Sequence, residues 1–259
     1  MDDQPENCKI ETTYNSIHLV YDRQRLELRS HDKALQSVIN LASPQTLELA
    51  NLEYLMSILL FIPAPRRILM LGTAAGSLLH FLRHHYPQAT ITAVDIDAEL
   101  MARLRQMDIL PPASDELNYV YEDAARFIER SDDVYDLVIV DIFNGAQTPP
   151  WLLEKSVIQQ LYDLTSTGGA LAFNLLIDSE HDFRLFYRDL RQCFADKALC
   201  LPVAGLENKV VYAIRDPAAA SDMPTNMERA MALSEQLGIE LMPILSVIYN
   251  TNPSGRGLV

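Results

Sequence analysis

The chain has 259 residues, enough for one large domain or two small ones, and its 49% apolar content gives a sizeable core and excludes disorder over most of its length. Lys and Arg total 21 against 35 Asp and Glu, a net charge of −14, so the average field repels polyanions and argues against nucleic-acid binding. Glycine is scarce, at 9 residues, so each one is expected where a Cβ would clash.

The start, Met1 to Glu6, is acidic and polar, unlike a secretion signal. No apolar run approaches a membrane span; Ile58 to Ile62 stops at Pro63. The cysteines, Cys8, Cys193 and Cys200, are odd in number and form no Cys-x-x-Cys pair, which predicts free thiols and a cytoplasmic protein.

The first 43 residues read as a small β-rich domain. Ile17 to Tyr21 and Arg25 to Arg29 are predicted strands around a turn at Asp22-Arg23-Gln24, and Ala34 to Leu41 is a third. From Pro44, apolar residues recur at helical spacing until Pro63, which predicts one long helix. Residues 44–216 then alternate strand and helix. Strands are predicted at Ile68–Leu71, Thr90–Val94, Leu117–Tyr121, Leu137–Val140 and Ala170–Leu176, the last after a break at Gly168-Gly169. Helices are predicted at Ser77–Tyr86, Ala98–Met107, Asp123–Arg130, Trp151–Leu164 and Asp182–Phe194, and two more strands near Ala198–Val203 and Lys209–Ile214. Apolar strands alternating with amphipathic helices predict an α/β fold with a parallel sheet covered on both faces. Residues 217–259 are expected to hold a last helix, Met227 to Leu237, and a frayed polar tail from Asn250 to Gly257.

Open α/β sheets bind ligands at the carboxyl ends of their strands. There the sequence places Gly72-Thr73-Ala74-Ala75-Gly76-Ser77, then Asp95-Ile96-Asp97, Glu122-Asp123-Ala124, and Asp141-Ile142-Phe143-Asn144. This ordered set points to a nucleoside. The glycine loop admits close backbone approach, and the helix after it offers free N–H groups to an anion. Asp95, 19 residues past Gly76, can accept both hydroxyls of a ribose. Asp123 can accept from an adenine amine or serve as a helix N-cap, while Asp97 reads as the cap of the next helix. Asp141 faces the position of the chemistry. A dinucleotide fingerprint is opposed by Ala74 and Ser77 at its second and third glycines, and a hydrolase elbow by Ala74 at the nucleophile. His80, His84 and His85 lack partners at ligand spacing, so they read as a solvated helix face and no metal is expected.

Ile68 to Ser77, Ala93 to Asp97, Tyr121 to Phe127, Tyr135 to Asp141 and Gly168 to Ala170 together resemble the spermidine synthase family, in its bacterial spermidine-synthase-like branch. Gln36-Ser37, Leu47 to Ala50 and Trp151-Leu152-Leu153 add to the resemblance, which spans about residues 15–215. It implies a class I methyltransferase-type Rossmann-like sheet, with an antiparallel strand at its end, behind a small β domain. It also implies a homodimer, S-adenosylmethionine or its decarboxylated form as co-substrate, and Gln36, residues 72–76, Asp95, Ile96, Asp123 and Ala124 at the nucleoside. Two family acids are missing. Ala75 stands where the loop carries an Asp that holds the aminopropyl end, and Asn144 stands at the second acid of the catalytic motif that Asp141 opens. Each lost contact to an amine costs about 1.5–3 kcal/mol. Ala75 would tolerate the carboxylate of S-adenosylmethionine itself. The expectation is therefore methyl transfer to a small-molecule acceptor near Asn144, with Asp141 catalytic. The alternatives are a true aminopropyltransferase acting on polyamines and an inactive nucleoside-binding homologue.

Overall fold

The computed structural model describes residues 7–252 apart from 32, 146 and 217–222. Four antiparallel strands come first, in the order β1 (Cys8–Glu11), β2 (Ser16–Asp22), β3 (Arg25–Ser30), β4 (Leu35–Asn40). β1 was not expected. β2 and β3 bury alternate residues, Ile17 and Leu19 facing the core beside Leu26 and Leu28, in a register that sets Leu19 opposite Leu28. The tight turn after Asp22 lies where it was predicted, with Arg23 at φ +54°.

The long helix expected from Pro44 is shorter. Residues 44–49 are irregular, α1 is Ala50–Met56, and Ser57–Leu60 tightens into a 3-10 turn. There the Ser57 hydroxyl donates back to the Tyr54 carbonyl (2.8 Å) and meets the buried Tyr212 hydroxyl (2.7 Å), a local bond that competes with regular helix.

The main sheet runs β10-β11-β9-β8-β5-β6-β7. Its strands are β5 (Arg67–Leu71), β6 (Thr90–Asp95), β7 (Leu117–Tyr121), β8 (Tyr135–Val140), β9 (Thr165–Leu175), β10 (Ala198–Pro202) and β11 (Lys209–Ile214). β7 through β9 pair in parallel, and β11 and β10 join antiparallel. The strands alternate between two cores. Met70, Ala93 and Ile139 face α1, α2 (Ser77–His85), α3 (Ala98–Gln106), α7 (Met223–Leu237) and α8 (Leu241–Thr251). Leu71, Val94 and Val140 face α4 (Ala124–Arg130), α5 (Lys155–Leu164) and α6 (Glu180–Cys193). Among the described residues no helix is long and apolar enough to cross a membrane.

Four further expectations need correction. Gly168-Gly169 does not break the chain before β9 but lies inside it. A Cβ on Gly169 would come within 2.9 Å of the Asp136 carbonyl oxygen, so glycine lets β9 pass close to β8. Gly72, Gly76 and Gly169 meet the expectation that a Cβ would clash, whereas Gly145, Gly168, Gly205 and Gly238 do not. Helical structure after the Pro149-Pro150 pair begins as a 3-10 turn, Pro150–Leu153, before α5. The chain end is not simply a polar tail. α8 extends to Thr251, its buried Leu241, Ile244, Leu245 and Ile248 forming a helical stripe. Asn252 then uses its side-chain amide to bond both the N–H and the C=O of Cys200 on edge strand β10, each at 3.0 Å. Residues 253–259 of the expected tail, and the expected boundary at 217, lie outside the described residues.

Candidate functional site

The chain leaves β5 toward β6 on one side and, later, toward β8 on the other, so a crevice opens at the carboxyl ends of these strands. The turn out of β5 makes it tight. Gly72 has φ +86°, and a Cβ there would sit 2.3 Å from the Asp141 carbonyl oxygen. Ala74 adopts φ +46°. Gly76, at φ +82°, precedes α2 and packs so closely on Leu110 that a Cβ would lie 2.4 Å from its side chain. The next residue anchors the loop to the small sheet: the Ser77 hydroxyl donates to the Val38 carbonyl (2.8 Å), with Ser37 at 3.0 Å.

Asp95 ends β6 and bridges two turns. One carboxylate oxygen accepts the Thr73 N–H and the other the Asp97 N–H, both at 2.9 Å. Burial pushes its carboxyl up, and these amides pull back. Each oxygen keeps a lone pair for a ligand hydroxyl. Asp97 is fully buried. It caps α3 through the Leu100 N–H and also accepts from Thr12 and Asn15 of the small sheet. Asp123 caps α4 through the Ala125 N–H (2.8 Å) and also lines the crevice, so its two readings coexist. Neighbouring Glu122 is taken up by Arg130.

Asp141 follows β8. Burial pushes its carboxyl up to about 6, against the pull of the Asn174 amide that donates to it at 2.9 Å. Asn174 is itself fixed, because its side-chain oxygen accepts from Asn208 (2.9 Å). The result is a relay of two neutral amides behind one carboxylate.

Asp95, Asp123 and Asp141 line a single cavity of about 520 Å³. It brings together Gln36, Gly72, Thr73, Ala74, Asp95, Ile96, Asp123, Ala124 and Asp141 from the sequence expectation. Three expected residues do not line it. Ala75 is wholly buried in the core, with no surface to offer a ligand. Gly76 faces Leu110. Asn144 is exposed in a tight turn, its backbone paired with Gln147. His80 departs from the solvated-face reading: it is half-buried, bonds the Ile109 carbonyl at 2.7 Å, and is pushed down in pKa by burial. Among the described residues no group of three or more His, Cys, Asp or Glu stands close enough to hold a metal.

Thr73 lines the cavity, and its buried hydroxyl has no hydrogen-bond partner. Buried polar groups are almost always paired, so an orphan at a cavity wall fits a ligand with a polar group there. Sequence reasoning missed Asn174 and Asn208. Asn174 carried a signal, as a polar residue in an otherwise apolar run from Ala170 to Leu176; Asn208, in the β10–β11 connection, carried none.

Residues 49–175, from just before α1 to the end of β9, match the spermine/spermidine synthase domain. The chain is similar to the polyamine aminopropyltransferase of Chromobacterium violaceum, at 26% identity over 225 residues, covering 87% of this chain and 86% of that one. Part of it is also similar to the human eEF1A lysine and N-terminal methyltransferase, at 26% over 141 residues, covering 49% of this chain and 20% of that protein. The fold is that of a probable spermidine synthase from Corynebacterium glutamicum, with TM-score 0.75, 22% identity, and 89% and 88% of the two chains covered. The matched stretch thus holds β5 through β9 and all three cavity carboxylates, while the small sheet and the β10–β11 connection close the cavity from outside it.

Proposed function

We propose that the protein transfers an aminopropyl group from decarboxylated S-adenosylmethionine to an amine, as its polyamine aminopropyltransferase relatives are named to do. This reverses the order of the sequence expectation, which put methyl transfer first. The observation that carries the reading is Asp141, a buried carboxylate raised to about 6 and braced by Asn174, in one cavity with Asp95 and Asp123. Asp95 takes the ribose hydroxyls, Asp123 and Ala124 the adenine edge, and the orphan Thr73 hydroxyl a polar group of the nucleoside. Asp141 orients the acceptor amine and takes its proton as nitrogen bonds the carbon beside sulfur and the C–S pair stays on sulfur. The test is calorimetry with both sulfonium nucleosides and their thioether products, followed by the product mass in a turnover assay. Binding of neither nucleoside rejects the proposal.

Methyl transfer stays as a second reading because the loop after β5 turns only Gly72, Thr73, Ala74 and Ser77, none of them acidic, toward the cavity. With no acid in the loop, nothing there repels the carboxylate of S-adenosylmethionine, and the human relative is named a methyltransferase. A methylated product, with no aminopropyl product, would select it.

As assembly we propose a homodimer. Of the α7 residues, Ala230, Leu233 and Leu237 pack inside the subunit, whereas Met223, Met227 and Met231 recur at four-residue spacing and stay exposed. A monomer by light scattering at micromolar concentration rejects it.

A further inference from the structure

The cavity has two unlike halves. On the β6–β7 side its wall carries Asp95 and Asp123. On the β8–β11 side the lining has Asp141 as its only charged side chain among the described residues. Beside Ile142, Phe143, Trp151, Leu176 and Leu206, that half of the lining carries the neutral amide of Asn208, which donates to Asn174 behind the carboxylate. Phe143 and Leu206 line the cavity yet are 37% and 49% exposed, and Leu35 of β4, also lining it, is 39% exposed. Large apolar side chains left open around a cavity mouth gain by being covered with apolar surface.

Asp141 is the one acid among the described residues on the wall of that half, and exposed Glu207, between Leu206 and Asn208, does not line it. Asp178 accepts from Gln147, and Glu180 pairs with Lys209; neither lines the cavity. A diamine placed with one nitrogen at Asp141 would lay its second ammonium against indole and leucine, losing water without gaining a carboxylate. An amine with one nitrogen and a hydrocarbon tail would put its head on Asp141 and its tail on the apolar wall.

We infer that the acceptor is a primary monoamine with an apolar chain or ring of several carbons, seated with its nitrogen at Asp141 and its tail along Phe143, Trp151, Leu176 and Leu206. This rests on the transfer reading above and names the acceptor for the same site. The step balances as written there: the unprotonated nitrogen forms the new C–N bond, the C–S pair goes to sulfur, and the released proton goes to Asp141. The proposal concerns the acceptor alone and holds for either transferred group.

The test separates acceptor class from chemistry. Binding of butylamine, hexylamine and 1,4-diaminobutane is measured by calorimetry on the protein saturated with methylthioadenosine, which reads the acceptor seat whether or not turnover occurs. Each added methylene should tighten binding about threefold to fourfold. Hexylamine should therefore exceed butylamine by about tenfold, and exceed the diamine by at least that much. Leu206→Asp should invert the order of hexylamine and diamine. Diamine binding as tight as hexylamine, or binding of neither, overturns the inference. Hexylamine binding as expected with no product from either sulfonium nucleoside would instead overturn the transfer reading and leave the seat established.

Discussion

On the β6–β7 side of the cavity, the ligand-facing groups follow their strands at once. Asp95 closes β6, and Asp123 stands two residues past β7 and caps α4. On the β8–β11 side only Asp141 does so. Its companions come from the turn at Trp151, the end of β9 at Asn174 and Leu176, and the β10–β11 connection at Leu206 and Asn208. The first half is fixed by short local motifs and backbone amides. The second is assembled from distant stretches, so it can change its chemistry while the sheet stays the same. On the proposed function, nucleoside recognition and acceptor recognition are therefore separable.

The largest test of that separation is Asp141→Asn. It should lower turnover by about a hundredfold or more while nucleoside affinity changes less than about threefold. Equal loss in both would join the halves. Ala75→Asp comes next. The side chain would enter the core rather than the cavity, so the expected result is a loss of about 2–4 kcal/mol of stability in denaturant titration, with no gain in diamine binding. Asp95→Ala should weaken the nucleoside by about 1.5–3 kcal/mol in calorimetry and leave amine binding to the thioether-loaded protein ordered as before.

Asp141 also gives a pH signature. Its carboxyl is raised from 3.8 to about 6 in the folded chain, so the neutral form is favoured by folding. The stability it contributes is fully present below about pH 4 and is lost as pH rises through about 6. Asp141→Asn, neutral throughout, should gain on the native protein by about 1–3 kcal/mol across that window, read by thermal melts at successive pH. Turnover should rise over the same range as the base form appears. The smallest effect is expected at Asn144→Asp. This exposed turn residue lies off the cavity wall, so stability should stay within about 0.5 kcal/mol and diamine affinity should not change.

The parallel sheet and the nucleoside half were legible because their signals are local. Apolar runs such as Leu137–Val140 give buried strands, and an acid directly after a strand falls at the crevice whatever the rest of the chain does. The extent of the first helix was not legible, because Ser57 bonds back to Tyr54 in the presence of Tyr212, a residue over 150 positions away. α8 was missed because its apolar stripe follows Gly238 closely and its end is written in polar residues. Position in an alignment of motifs also misled for Ala75 and Asn144. Sequence order put them in the loops that meet the ligand, but neighbouring residues of a tight loop face different ways: Thr73 and Ala74 line the cavity while Ala75 does not, and Phe143 and Gly145 line it while Asn144 does not.

Asn252 has a consequence for the life of the protein in a crowded solution. β10 is the outer strand of the main sheet, and an open outer strand is a template for another chain. By offering one amide donor and one acceptor to Cys200, Asn252 imitates the peptide group of a neighbouring strand and occupies that position with a side chain that cannot propagate the ladder. Because it sits at the end of α8, the blockade holds only while that helix is docked. Loosening the C-terminal helix would therefore expose a self-adhesive edge that does not line the cavity, and damage there would surface as aggregation.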